Sequence, residues 1–310
     1  MTTPRRAVLR GLGAAMCGSL LAASAVSRAS APLKVVATFS ILADMVREVG
    51  GPAVSVSALV GANADAHVFE PTPADVRRVA DADLVVVNGL RYEGWIDRLI
   101  AASGYRGKVL VASRGITPRR VPGGADPHAW QSLVHAQQYV DNIRVALSDV
   151  AMADRVAIAA RAAAYSGRLA AMDADARARF GAIASDRRRV ITSHDAFGYF
   201  GDAYGITFIA PRGWTTGSEP SAETVAAIIR QARAERASAL LVENISDPRL
   251  VDRIGREAGL NVGGTLYSDA LSPPGTPADS YLRLYAHNVD TLVSALSRVA
   301  PAAVTGTNRP

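Results

Sequence analysis

The feature that most constrains this chain is an alternation of short apolar runs with helical stretches, which breaks off in mid-sequence and then resumes. The first runs are "LKVVATF" (33–39), "AVSVSALVG" (53–61), "DLVVVNG" (83–89) and "KVLVAS" (108–113). Each is short, β-branched and closed by polar residues or glycine, the pattern of parallel strands buried on both faces. Helical candidates fill the gaps at 40–49, 73–81 and 92–103. The second begins with a clear signal, Thr72 as N-cap and Pro73 in the first turn. Residues 131–181 contain no strand-like run, and 153–182 is an unbroken series of strong helix formers with two glycines, Gly167 and, near its end, Gly181. At 1.5 Å per residue this helix spans about 40–45 Å, enough to join two lobes as a spine. Its high alanine content and sparse charge pairing predict a buried face.

The alternation returns with strand candidates "RRVITS" (188–193), "ITFIA" (206–210), "SALLVEN" (238–244) and "LNVGGTLY" (260–267). Helices are expected at 196–204, 221–235 with Ser221 as cap, 247–258 and 279–299, followed by a frayed tail. No sequence repeat links the two series. The grammar predicts an α/β protein with two four-stranded parallel sheets, helices on both faces and right-handed crossovers. The expected division is a signal peptide over 1–29, an N-terminal lobe over 30–150, the spine over 151–182 and a C-terminal lobe over 183–310.

Residues 1–29 read as an export signal, with a positive start, an apolar stretch from about Gly11 to Val26, and Ser27 and Ala29 placing cleavage after Ala29. "PRRAVLR" resembles a twin-arginine signal, with Val8 where phenylalanine is usual, so that route is favoured over general secretion. The apolar run is short of the ~20 residues that a membrane span needs. Cys17, the only cysteine, lies inside it, and "AAMC" lacks the leucine of a lipid-attachment box. The exported chain therefore has no disulfide, and any metal must be held by nitrogen and oxygen. The four arginines of 1–31 account for most of the formal charge of +6: without them 30 basic residues face 28 acidic ones. No basic stripe with interleaved aromatics appears, which argues against nucleic acid as a partner.

Four of the chemistry-bearing residues fall beyond the carboxyl ends of strands, where open α/β sheets bind ligands. His67 follows the second strand, His128 the fourth, His194 the first strand of the second series and Asp269 its last. Three imidazoles and one carboxylate make a complete set for a divalent ion if the lobes face each other. Such a set favours zinc, since manganese prefers more oxygen. His135 and His287 fall within helical stretches and are read as structural. Asp65, Asp126 and Asp195, each next to or near one of these histidines, are either acceptors for ring N–H groups or solvated turn residues. Trp130 and Phe197 either dry the site or belong to the plain core. Glu243 ends a strand of the second lobe and is a candidate to approach the cleft.

At these residues the chain resembles the periplasmic solute-binding proteins of zinc and manganese ABC transporters. The motifs are "VVATFSILADMVREVGG", "DAHVFEPTPADVRRVADADLVVVNGLRYEGWIDRL", "DPHAWQS", "TSHDAFGYF", "GSEPSAETVAAIIRQA" and "YSDALSPPGTPADSYLRLYAHNVDTL", which cover nearly the whole exported chain. The resemblance places His67, His128, His194 and Asp269 on the family's four ligand positions, and manganese-type members often carry glutamate at the position of His194. It implies a metal buried between two lobes joined by one long helix, modest motion on binding, and an ABC permease as partner. Many zinc members carry a histidine-rich acidic loop before the second ligand, whereas "RGITPRRVPGGADPHAW" is short and has no extra histidine.

The expected function is a monomeric periplasmic receptor carrying Zn2+ to a permease, with Mn2+ as the alternative cargo. A zinc-dependent hydrolase is the reading from a different class. A catalytic zinc keeps an open position, whereas a fourth protein ligand closes the shell here, and neither HExxH nor GxSxG occurs. An adhesin or a metal chaperone using the same four residues is a third reading.

Overall fold

A computed structural model describes residues 31–297, apart from 123, 211–220, 236, 247, 260 and 261. The signal segment, the C-terminal tail and the start of "GSEPSAET" lie outside the described residues.

The first four strands, β1 (Leu33–Phe39), β2 (Val54–Val60), β3 (Leu84–Val87) and β4 (Lys108–Val111), form one parallel sheet in the order β2-β1-β3-β4. A two-residue antiparallel hairpin follows, β5 (Arg120–Val121) with β6 (Gly124–Ala125), which the sequence did not announce because neither run is long enough to show a period. The second series gives β7 (Arg189–Ile191), β8 (Thr207–Ile209), β9 (Ala239–Glu243) and β10 (Val262–Leu266), parallel in the order β10-β9-β7-β8. Counted within its own series, each sheet runs second-first-third-fourth. The two halves thus share one topology without visible sequence repetition. In each, the strand order reverses between the first and third strands, the place where such sheets open a crevice.

The helices are α1 (Ser40–Gly50), α2 (Pro73–Ala80), α3 (Ile96–Ser103), α4 (Leu133–Val150), α5 (Arg155–Gly181), α6 (Gly198–Tyr204), α7 (Ala222–Ala234), α8 (Pro248–Ala258) and α9 (Tyr281–Ser297). Thr72 caps α2 in a full capping box: the Asp75 N–H reaches the Thr72 hydroxyl and the Asp75 carboxylate accepts the Thr72 N–H. Ser221 caps α7 by accepting the Thr224 N–H at 3.2 Å.

The spine is α5, whose 27 residues correspond to about 40 Å of helix. It buries a stripe of Ile158, Ala162, Tyr165, Leu169, Ala176 and Phe180, spaced three, four or seven apart. Polar contacts fasten both ends. Near its start, Arg161 donates to the carbonyls of Val49 and Gly50, which end α1. Near its end, Arg177 donates to the Ala203 carbonyl at 2.8 Å and Asp173 accepts the Tyr204 hydroxyl at 2.9 Å. One apolar core runs through both halves, with Trp130, Tyr139, Phe200, Tyr281 and Tyr285 in its middle, while a smaller cluster fills one side of the second sheet.

Asp44 on α1 reaches across to the start of α9, where its carboxylate accepts the Tyr281 N–H at 2.8 Å. Burial pushes this carboxyl up to about 6, more than the Tyr281 hydrogen bond lowers it, and the nearby Glu48 adds to the rise. Between pH 4 and 6 the folded state holds the proton more tightly than the unfolded chain does, so stability falls as pH rises through this window. Asp44→Asn keeps an acceptor for Tyr281 and removes the buried charge. It is expected to gain on the order of 1–2 kcal/mol at pH 7.5 and to match wild type near pH 4, measured by denaturant unfolding.

Candidate metal centre

Four loops deliver His67, His128, His194 and Asp269 to one point, with one donor atom from each lying within 4.8 Å of all the others. The Nε2 atom of His67 is 3.2 Å from that of His128 and 3.2 Å from Oδ2 of Asp269. The same oxygen is 3.3 Å from Nε2 of His194 and 3.9 Å from Nε2 of His128. Four ligands at zinc bond lengths in a tetrahedron stand ~3.3 Å apart, so these four edges approach the spacing around a single small cation.

Each loop is fixed from behind. The Ala66 carbonyl accepts the Trp95 indole N–H at 2.8 Å, and Asn63, at a φ of 53°, donates its N–H across the cleft to the Leu271 carbonyl at 2.9 Å. The Pro127 carbonyl accepts from Asn88, which is fully buried. Ahead of Asp269, Asn288 on α9 holds both the N–H and the carbonyl of Tyr267. The Ser268 carbonyl accepts from the side chains of Trp130 and Gln131 at 2.9 and 2.7 Å.

Carboxylates orient two of the three rings. Asp126, one of the acceptors expected from sequence, takes Nδ1 of His128 at 2.8 Å as well as the His128 backbone N–H at 3.0 Å. For His194 the partner is Glu243, with Oε2 at 2.6 Å from Nδ1, while Oε1 accepts the His194 backbone N–H at 2.8 Å. Asp195 is exposed and does not fill this role. The register explains the substitution. Ile191 on β7 pairs with Leu240 on β9, so His194 and Glu243, each three residues further on, leave the sheet side by side at the point where strand order reverses. Asp65 accepts only the backbone N–H of His67, at 2.7 Å, which shapes the loop and leaves the ring alone.

Aromatic rings line the remaining wall. Tyr92, which sequence reasoning missed, packs edge-on against His67 with centroids 4.7 Å apart, and Trp130 lies 5.3 Å from His128. Trp130 therefore belongs both to the core and to the site wall. Phe197 stacks on Phe208 and is plain core. His287 bonds the Thr265 carbonyl and His135 packs against Tyr199, both apart from the four-residue cluster.

Asp269 is fully buried, and among the described residues no hydroxyl, amide or backbone N–H donates to either of its oxygens. Burial alone would raise its carboxyl; the His194 and His128 rings outweigh burial and hold it well below the usual carboxylate range. At His194, burial disfavours the charged ring, but Glu243 and then Asp269 overcome it and raise its proton affinity well above that of a free imidazole. The pocket stabilises positive charge, and a proton on His194 answers that demand when nothing else does.

The family of zinc-uptake complex component A periplasmic proteins, ZnuA, matches residues 35–295 of the sequence. The chain belongs to the ZnuA family. Its relatives include the manganese-binding lipoprotein MntA of Halalkalibacterium halodurans, 30% identical over 267 residues, covering 86% of this chain and 89% of that one. Among solved structures it is similar to the periplasmic zinc binding protein TroA of Treponema pallidum, with a TM-score of 0.81, 28% identity, and coverage of 86% of this chain and 100% of that one. A manganese-bound periplasmic metal binding protein of Candidatus Liberibacter asiaticus follows, with a TM-score of 0.77, 26% identity, and coverage of 85% and 99%. This ZnuA-family member is a periplasmic metal-binding receptor of an ABC transporter and not an enzyme.

The electrostatic reading can be checked without metal. In the metal-free protein, Glu243→Gln is expected to lower the NMR titration midpoint of His194, because the strongest attraction on its proton is gone. An unchanged midpoint contradicts the assignment.

Proposed function

We propose that this chain captures zinc in the periplasm and passes it to the membrane permease, with His67, His128, His194 and Asp269 as the four ligands. The observation that carries this reading is the convergence of three imidazole nitrogens and one carboxylate oxygen in a largely buried pocket, with four of the six donor–donor edges at 3.2–3.9 Å and all within 4.8 Å. Three nitrogens suit zinc better than manganese, which takes more oxygen. The four-ligand shell leaves the protein a task of capture and release, in which no bond of a substrate is broken. The chain acts as a monomer with the lobe boundaries given above, since one molecule supplies every ligand.

Manganese is the second reading, and it is supported by the kinship with MntA and with the manganese-bound Liberibacter protein. Competitive titration of the metal-free protein separates the two. Zinc is expected to win by a wide margin and to weaken on acidification from pH 7 to 5, because a protonated imidazole cannot ligate. His194→Glu is expected to lose the preference. Saturating zinc at a thousandfold above its dissociation constant stabilises the fold by about 4 kcal/mol. An alanine variant at any of the four positions that keeps the full stabilisation removes that residue from the set. Equal affinity of wild type for both ions refutes the zinc assignment.

The same reading includes cleavage of the signal after Ala29, giving a soluble periplasmic form. Relatives such as MntA are named lipoproteins. Intact mass of the protein purified from the periplasm should correspond to a chain starting at Ser30. A lipid-modified chain starting at Cys17 is the opposing result.

A further inference from the structure

Arg119 lies in the loop between β4 and β5, outside the ligand set, and joins three groups that bear on it. Its Nε donates to Oδ2 of Asp202 on α6 at 2.9 Å, and its Nη1 is 3.5 Å from Oδ2 of Asp126. Its backbone N–H donates to the Tyr199 hydroxyl at 2.9 Å, and that hydroxyl donates to the Asp126 carbonyl at 2.9 Å. Its own carbonyl accepts the Asp126 N–H at 2.8 Å. Asp126 is 1% exposed and holds the His128 ring through its other oxygen. Asp202 and Tyr199 sit on the helix that begins four residues after His194.

Gly198, the first residue of α6, is shaped to this contact. A Cβ there would collide with the Arg119 guanidinium and stand 2.8 Å from Oδ2 of Asp126. The buried Asp126 has little room to yield, so a side chain at Gly198 displaces Arg119. The loop before His128 and the helix after His194 are therefore pressed together with the guanidinium between them. Arginine suits such a position because its rigid planar fork engages two carboxylates in fixed directions.

We propose that Arg119 is a positioning residue that sets how long the ion stays bound. Through Asp126 it fixes the His128 ring, and through Asp202 and Tyr199 it ties that ring to the segment carrying His194. Ligands from opposite lobes then separate only when this link breaks. The proposal rests on the four-ligand reading and concerns the rate of release rather than the identity of the ion.

The test uses the exported chain loaded with whichever of zinc and manganese binds more tightly, mixed with excess chelator and followed by stopped flow. Arg119→Gln is expected to release the ion about tenfold faster than wild type, the low end for outer partners of metal ligands. Its metal-free melting temperature should stay within about 3 °C of wild type. Arg119→Lys keeps the charge without the fork and falls between the two. Gly198→Ala and Asp202→Asn accelerate release in the same direction. Combining Asp202→Asn with Arg119→Gln adds nothing beyond Arg119→Gln alone, since both act through one link. Release within about twofold of wild type in both Arg119→Gln and Asp202→Asn overturns the proposal. So does a faster release that merely accompanies a large loss of metal-free stability. If Arg119→Gln fails to fold, the exposed Asp202→Asn decides alone. A wild-type chain that retains neither ion refutes the four-ligand reading and this proposal together, whereas a wild type that binds with unaffected variants refutes only the role of Arg119.

Discussion

A carboxylate removed from water and given, among the described residues, no hydroxyl, amide or backbone N–H donor is the constraint around which this structure is arranged. An unpaired buried charge costs several kcal/mol or more, so Asp269 has to be answered by something positive. The protein brings three imidazoles to it and then backs two of them with further buried carboxylates, Asp126 and Glu243. That arrangement gathers more negative charge than neutral histidines can offset, and the deficit is what a divalent ion supplies. Tyr92 and Trp130 form an aromatic wall beside His67 and His128.

The fold makes this convergence possible by using one sheet topology twice. Each half opens a crevice where its strand order reverses, and the loops beside the two crevices carry the four side chains. His194 and Glu243 come from neighbouring strands at the reversal in the second sheet, so their contact follows directly from strand register. In the first half His67 follows β2 and His128 follows the β5–β6 hairpin beyond β4, on either side of the reversal, and both need more bracing. Trp95, Asn88 and Asp126 provide it.

Much of this was legible in the sequence because it is local. Period and punctuation gave the eight main strands and the long helix, and the Thr72 and Ser221 caps were visible as single residues beside their helices. The four candidate ligands were legible as polar residues at strand ends. What escaped depends on pairing between distant segments. Asp195 stood next to His194 in sequence, yet Glu243 is its neighbour in space, because parallel strands set partners across rather than along the chain. Tyr92 read as one more aromatic after a strand, and only the folded loops bring its edge onto His67. The β5–β6 hairpin is too short to carry any periodic signal. The matching order of the two sheets left no trace in sequence, since a parallel sheet asks only for apolar residues of suitable shape.

The fastening of α5 at both ends has a mechanical consequence. Arg161 pins it to the end of α1, and Arg177 and Asp173 pin it to α6, while its apolar stripe sinks into a core that runs continuously through both halves. A strut held in this way can flex, but it gives the halves no free axle about which to swing. Such seating favours cargo exchange by small movements of loops at the rim over a wide swing of the halves.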